Sequence, residues 1–99
     1  DIAFFNYKDY GVRVYGNAVL ANERFLRENP KAVAGFLRAY NKGLMDAIKN
    51  PEEGVRCLKQ REPLIDEKVE LRRLNSMLSN YVVTPNTKAN GIGAFDKLR

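Results

Sequence analysis

Tyr7, Asp9, Tyr10, Tyr15 and Asn17 are the side chains in this sequence best suited to holding a small molecule, and they fall in one short stretch near its start. An Asn carries two donors and two lone pairs, and an ionised Asp accepts only. Together they can orient a polar heterocycle or an oxyanion while tyrosine rings cover its face. Aromatic walls with a few hydrogen-bonding groups make a small-molecule cleft. Cross-strand packing and turn chemistry account for the same five residues without any ligand, so both readings stand at this point. Side chains alternate across a strand, which places Tyr15 and Asn17 on one face and Val14 on the other. Gly16 between them weakens a strand and marks a bulge or a close backbone approach.

Catalytic constellations are nearly absent. With no histidine and a single cysteine, these residues cannot build a His/Cys metal site or a Ser–His or Cys–His nucleophile pair. The acidic pairs Glu52-Glu53 and Asp66-Glu67 stand at helix starts, where capping and the positive helix end explain them. Cys57 has no histidine to activate it and reads as a small helix residue. Asn90-Gly91-Ile92-Gly93 holds a G-x-G, but it lacks a third glycine and follows a polar loop instead of a strand, a poor phosphate cradle. No catalytic residue, no metal site and no cofactor is expected.

The elements that must position the five residues divide the chain in two. IAFFNY, residues 2–7, is an apolar and aromatic run of strand length, and Asp9-Tyr10-Gly11 is a turn in which Gly accepts positive φ. Val12 to Leu20 read as a second strand. After a short amphipathic turn from Asn22 to Glu28, Asn29-Pro30 is a helix start: Asn caps free N–H groups and Pro has fixed φ and no N–H. In the helix that follows, Val33, Phe36, Leu37, Tyr40, Leu44, Ala47 and Ile48 fall within an arc of about 120°, the width of a core-facing stripe. Gly43 on its flank permits close packing. Asn50-Pro51-Glu52-Glu53 repeats the start signal, with Glu53 placed to reach back to the cap, and opens a weakly apolar helix to about Arg61 expected at the surface. Asp66 caps a third helix to about Asn80, with Leu71, Leu74, Met77, Leu78 and Tyr81 on one face. Thr84 to Asn90 read as loop, and Ala94 to Arg99 as a helix cut short. The fold class expected is α/β: one or two strands over 2–20, then three or more helices.

Ninety-nine residues with 44% apolar content suit one domain. No apolar run approaches the roughly 18 residues of a membrane span. The net charge of +5 and pI near 9.5 permit an acidic partner without requiring one. Lys31, Arg38, Lys42 and Lys49 form a basic ridge, and a basic helical module binding nucleic acid is the alternative it raises. The charges are spaced by whole turns on the solvent side, with no interleaved aromatics, so a solvated face is the reading adopted and no nucleic-acid partner is expected.

The order DYG–x3–YGNAVLANERFL–x2–NP–x5–FLRAYNKGLMDAI–x–NPEE–x–V resembles the C-terminal half of bacterial ABC-transporter solute-binding proteins of the nitrate/sulfonate/taurine and thiamine-pyrimidine-precursor group. The tail, REPLIDEKVELRRL with VVTPNTKANGIGAFDKLR, is similar to the last helices and closing G-x-G segment of the same group. The resemblance covers nearly all of the chain and rests on the shared order of its motifs. It implies a fragment of a two-lobed periplasmic-binding-protein fold, type II-like. Residues 1–20 would be strands crossing between lobes, and residues 21–99 the helical C-terminal part of the first lobe, truncated at both ends. Tyr15, Gly16 and Asn17 match the crossing segment and Asp9-Tyr10-Gly11 the turn before it. The function implied is non-enzymatic capture of a pyrimidine precursor, a sulfonate or a nitrate-like compound for delivery to a membrane permease. The location implied is periplasmic or otherwise exported, with any signal peptide upstream of Asp1. A pyrimidine-precursor synthase is the enzymatic alternative within the same group; its chemistry is expected to need histidine. Strands lacking the rest of their sheet would expose an edge, through which the fragment is expected to self-associate.

Overall fold

Helix starts dominate the local structure. The computed structural model describes residues 2–12 and 14–94. One 3-10 turn at Tyr7–Tyr10 precedes α1 (Glu23–Glu28), α2 (Pro30–Lys49), α3 (Pro51–Arg61), α4 (Glu67–Met77), a π turn (Leu78–Val82) that continues α4, and α5 (Pro85–Asn90). The expected starts at Pro30, Pro51 and Glu67 are all present. Asn50 Oδ1 accepts from the Glu53 amide at 3.2 Å, and Asp66 Oδ1 accepts from Lys68 and Val69 at 2.9 and 3.1 Å. Each such cap is worth about 1 kcal/mol. Two details differ. Asn29 makes no side-chain cap, so α2 starts on the preset φ of Pro30 alone. Glu53 turns forward to Arg56 at 2.9 Å instead of back to the cap.

α5 replaces the loop expected at its position. Thr84 and Thr87 form a reciprocal capping box, each side chain accepting from the other's amide, so the Thr-Pro pair opens a helix just as the two Asn-Pro pairs do. Gly91 ends it with a φ of 89°. The expected final helix lies almost wholly on residues 95–99, outside the described residues.

The centre of the helical layer is α3, not the periphery where its weak apolar pattern placed it. It packs on both α2 and α4, and Val55 on it is 4% exposed; Val55 and Leu78 are the buried apolar residues among those described. The close approach is made at Gly54. A Cβ there would lie 3.5 Å from the Ala47 Cβ of α2 and 3.7 Å from a Leu74 methyl of α4, whereas a Cβ at Gly43 would meet open space. Of the stripe on α2, Leu44, Ala47 and Ile48 are partly covered, and Phe36, Leu37 and Tyr40 stay exposed. The Cα radius of gyration is 16.2 Å, against about 13 Å for a compact chain of this length. The open shape follows from the long uncovered half of α2 and from the arm that precedes the helices. No helix among the described residues is long and apolar enough to cross a membrane.

The α/β expectation fails: no strand forms among the described residues. IAFFNY has no regular structure until Tyr7, where the chain tightens into the 3-10 turn, with Asp9 N–H donating to Asn6 O at 3.0 Å and Gly11 N–H to Lys8 O at 3.3 Å. Gly11 closes that turn at a φ of 84°, so the turn reading of Asp9-Tyr10-Gly11 holds. Residues 14–22 run without regular structure. A strand is defined by its neighbour, and even a two-stranded hairpin is marginal in water. Here a turn, not a hairpin, follows the first apolar run, and Gly16-Asn17 interrupts the second. The arm's apolar side chains therefore face solvent, Phe4 at 85% and Leu20 at 91% exposure. Among the described residues no strand edge forms through which that self-association could run.

Gly54→Ala should leave the melting temperature unchanged or raise it, because the methyl meets ordinary van der Waals contacts and alanine gains about 0.8–1.0 kcal/mol of helix propensity. Gly54→Leu should lower stability by about 1–3 kcal/mol by forcing the helices apart. Denaturant titration of both variants checks the pair, and equal stability of the two would show that Gly54 is not a packing constraint.

Candidate functional site

The 3-10 turn carries three of the five candidate residues. Tyr7 and Tyr10 are 78% and 69% exposed, and Asp9 is exposed beside them. Phe5 packs its ring on Tyr10 with centroids 6.4 Å apart and planes tilted by 45°, an aromatic geometry worth about 0.5–1.5 kcal/mol. Tyr15 and Asn17 lie farther along the arm, in backbone without regular structure, both exposed and Tyr15 by about half. All five residues are therefore on one arm that precedes the helices. Only the first three share an ordered element, and no closed cavity joins the two groups.

What ties this arm to the helical layer was not expected. The Tyr81 hydroxyl donates to Asn6 Oδ1 at 3.1 Å, and the Lys8 ammonium sits 5.2 Å from the centroid of the Tyr81 ring. The same ammonium lies 3.4 Å from both the backbone and the side-chain oxygen of Asn80. Asn6 is half-buried by this contact while the tyrosines around it are exposed.

The π turn sets Asn80 and Tyr81 in place, and side-chain hydrogen bonds run back from it along the helix. Ser79 Oγ donates to the Asn75 carbonyl at 2.7 Å and Asn80 Nδ2 to the Ser76 carbonyl at 2.8 Å. Those carbonyls are the ones that the Ser79 and Asn80 amides would take in a regular helix, and side-chain competition of this kind loosens the ladder. The Val83 amide instead closes on Leu78 O at 2.8 Å, one residue beyond the α spacing. Leu78 is thereby turned into the core, while Met77 and Tyr81, expected on the same face, are 43% and 58% exposed. The signal was present as Ser76, Ser79 and Asn80 clustered at the end of a helical pattern.

Elsewhere, an open groove between α3 and α4 is lined by Glu52, Val55, Arg56, Glu67, Lys68 and Leu71. None of the five candidates reaches it, and its alternating charges on a solvated wall do not make a cleft. Lys31, Arg38, Lys42 and Lys49 are exposed along α2, and Cys57 is exposed on α3.

The chain belongs to the NMT1/THI5-like family, whose model matches residues 1–54. It is also similar to the formylaminopyrimidine-binding protein of Halalkalibacterium halodurans, 37% identical over 97 residues that make up 92% of this chain and 29% of the relative. The chain thus spans less than a third of that relative's length. No solved structure matches it. All five candidate residues, α1 and α2 fall inside the family match; α4 and the π turn fall outside it and inside the longer alignment.

Ser79→Ala removes the side-chain bond to the Asn75 carbonyl and should draw the turn toward α-helical spacing. Carbon chemical shifts of residues 78–82 should move toward regular helical values. Unchanged shifts would show that the π turn has another cause.

Proposed function

We propose that this chain is part of a solute-binding protein that captures formylaminopyrimidine, or a pyrimidine closely related to it, and delivers it to the permease of an ABC importer. The observation that carries this reading is the 37% identity over 97 residues to a protein named for binding that compound. The arm supports it, because tyrosine rings and the Asn17 amide suit a flat heterocycle with ring nitrogens and an amino group. Sulfonate and nitrate-like solutes are the less favoured cargo, since they are small anions without an aromatic ring for tyrosines to cover. On this reading the protein is a carrier, not an enzyme, and works in the cell envelope after export. Residues 2–20 pass between two lobes beside the solute, with Tyr7, Asp9, Tyr10, Tyr15 and Asn17 as its contacts. The helices from Glu23 onward belong to one lobe.

The test is a calorimetric titration of the full-length protein with formylaminopyrimidine, with taurine and nitrate as controls. Binding of the pyrimidine alone is the expected result, accompanied by a higher melting temperature through mass action. Asn17→Ala should weaken binding by about 0.5–1.5 kcal/mol, and by up to about 3 if its partner on the solute is left buried and unsatisfied. Unchanged affinity with unchanged melting would remove Asn17 from the site. Conversion of the pyrimidine to a product would overturn the carrier reading.

A further inference from the structure

The 3-10 turn that bears Tyr7, Asp9 and Tyr10 is held from outside itself. A single turn of this kind has poor hydrogen-bond geometry and is weakly stable alone. Two of its carbonyls are acceptors that define it: Asn6 O takes the Asp9 amide and Lys8 O takes the Gly11 amide. The side chains of these same two residues, Asn6 and Lys8, reach across to Asn80 and Tyr81, separated from them by 72 and 75 positions. Tyr81 uses its hydroxyl on Asn6 and its ring face on Lys8, while the two Asn80 oxygens share the ammonium. The residues between and beyond the clamped pair, Tyr7, Asp9 and Tyr10, are left exposed to solvent.

We propose that Asn80 and Tyr81 are positioning residues for solute binding: they clamp Asn6 and Lys8, and so hold the turn in the geometry that presents Tyr7, Asp9 and Tyr10 to the ligand. The role rests on the solute-binding reading above. It makes the end of α4 a determinant of affinity although neither residue touches the solute. The π turn belongs to the device, because it sets the direction in which Asn80 and Tyr81 project.

Two measurements on the full-length protein test this: amide exchange at Asp9, Gly11 and Val12, and calorimetric titration with formylaminopyrimidine. Tyr81→Leu removes both the ring face and the hydroxyl and should speed exchange at these three amides by about three- to tenfold, with a loss of affinity of the same order. Tyr81→Phe keeps the ring and should show a smaller change in both readouts. Lys8→Met should behave like Tyr81→Leu, and Lys8→Arg should restore wild-type behaviour, since a guanidinium also stacks on an aromatic face. Amides of α3 report on the fold and should not change in any variant. Unchanged exchange in Tyr81→Leu overturns the clamp, and faster exchange with unchanged affinity overturns its positioning role. A wild-type protein that does not bind formylaminopyrimidine overturns the solute reading and the positioning role with it, while the exchange data still decide the clamp separately.

Discussion

The helical layer is tightest where α2, α3 and α4 meet at Gly54. Without a side chain there, the backbone of α3 lies against Ala47 of α2 and Leu74 of α4, and Val55, the next residue, is driven into the space between helices. Glycine in a helix interior costs about 1 kcal/mol relative to alanine. The cost is borne at a position flanked by strong local signals, with Asn50 capping and Pro51 and two acids in the first turn. The helix is secured at its start and so tolerates a residue of low propensity in its middle. The ion pair Arg56–Glu53 on the same helix joins two exposed side chains and adds only about 0.3–0.5 kcal/mol.

The arm obeys the opposite constraint. Its residues have strand composition, but backbone N–H and C=O groups in a strand are satisfied by a second strand, and composition cannot supply one. A helix closes its hydrogen bonds within itself, so α2, α3 and α4 form from their own segments. That difference explains what was legible. Asn-Pro before an apolar stripe, and Asp66 before another, are complete instructions, and those helices begin where they were expected. IAFFNY and VRVYGNAVL state a preference whose fulfilment depends on residues elsewhere. Among the described residues no such partner is present, and the preference yields irregular chain and a 3-10 turn.

Packing partners were less legible than helix starts for a related reason. Gly43 and Gly54 look alike on a helical wheel as points of close approach, and only the arrangement of three helices shows that Gly54 makes the contact. The stripe on α2 likewise gave the face without telling how much of it α3 would cover. The candidate residues Tyr7, Asp9, Tyr10, Tyr15 and Asn17 were found by residue type, and the structure places them on one arm in two groups. The contacts that tie the arm to the end of α4 were not legible. Asn6 and Lys8 lay among more conspicuous tyrosines, and Asn80 and Tyr81 lay at a helix end whose π turn only the serine and asparagine side chains foretold.

These two constraints meet at the end of α4. Binding residues on irregular backbone work only when a rigid element holds them, because ordering a free segment at the moment of binding weakens affinity. The arm has no ladder to hold it, and its own turn is a single loop of 3-10 hydrogen bonds. Rigidity must therefore come from the helical layer, and α4 supplies it by departing from regularity. A continuous α-helix through residues 78–82 would keep Tyr81 on the stripe with Leu74 and Leu78 and bury its ring. Ser79 and Asn80 donate to the carbonyls behind them, Leu78 is buried, and Tyr81 turns its ring face and hydroxyl to the arm. The irregular turn that costs the helix its hydrogen-bond spacing is what lets a rigid element reach a segment that cannot order itself.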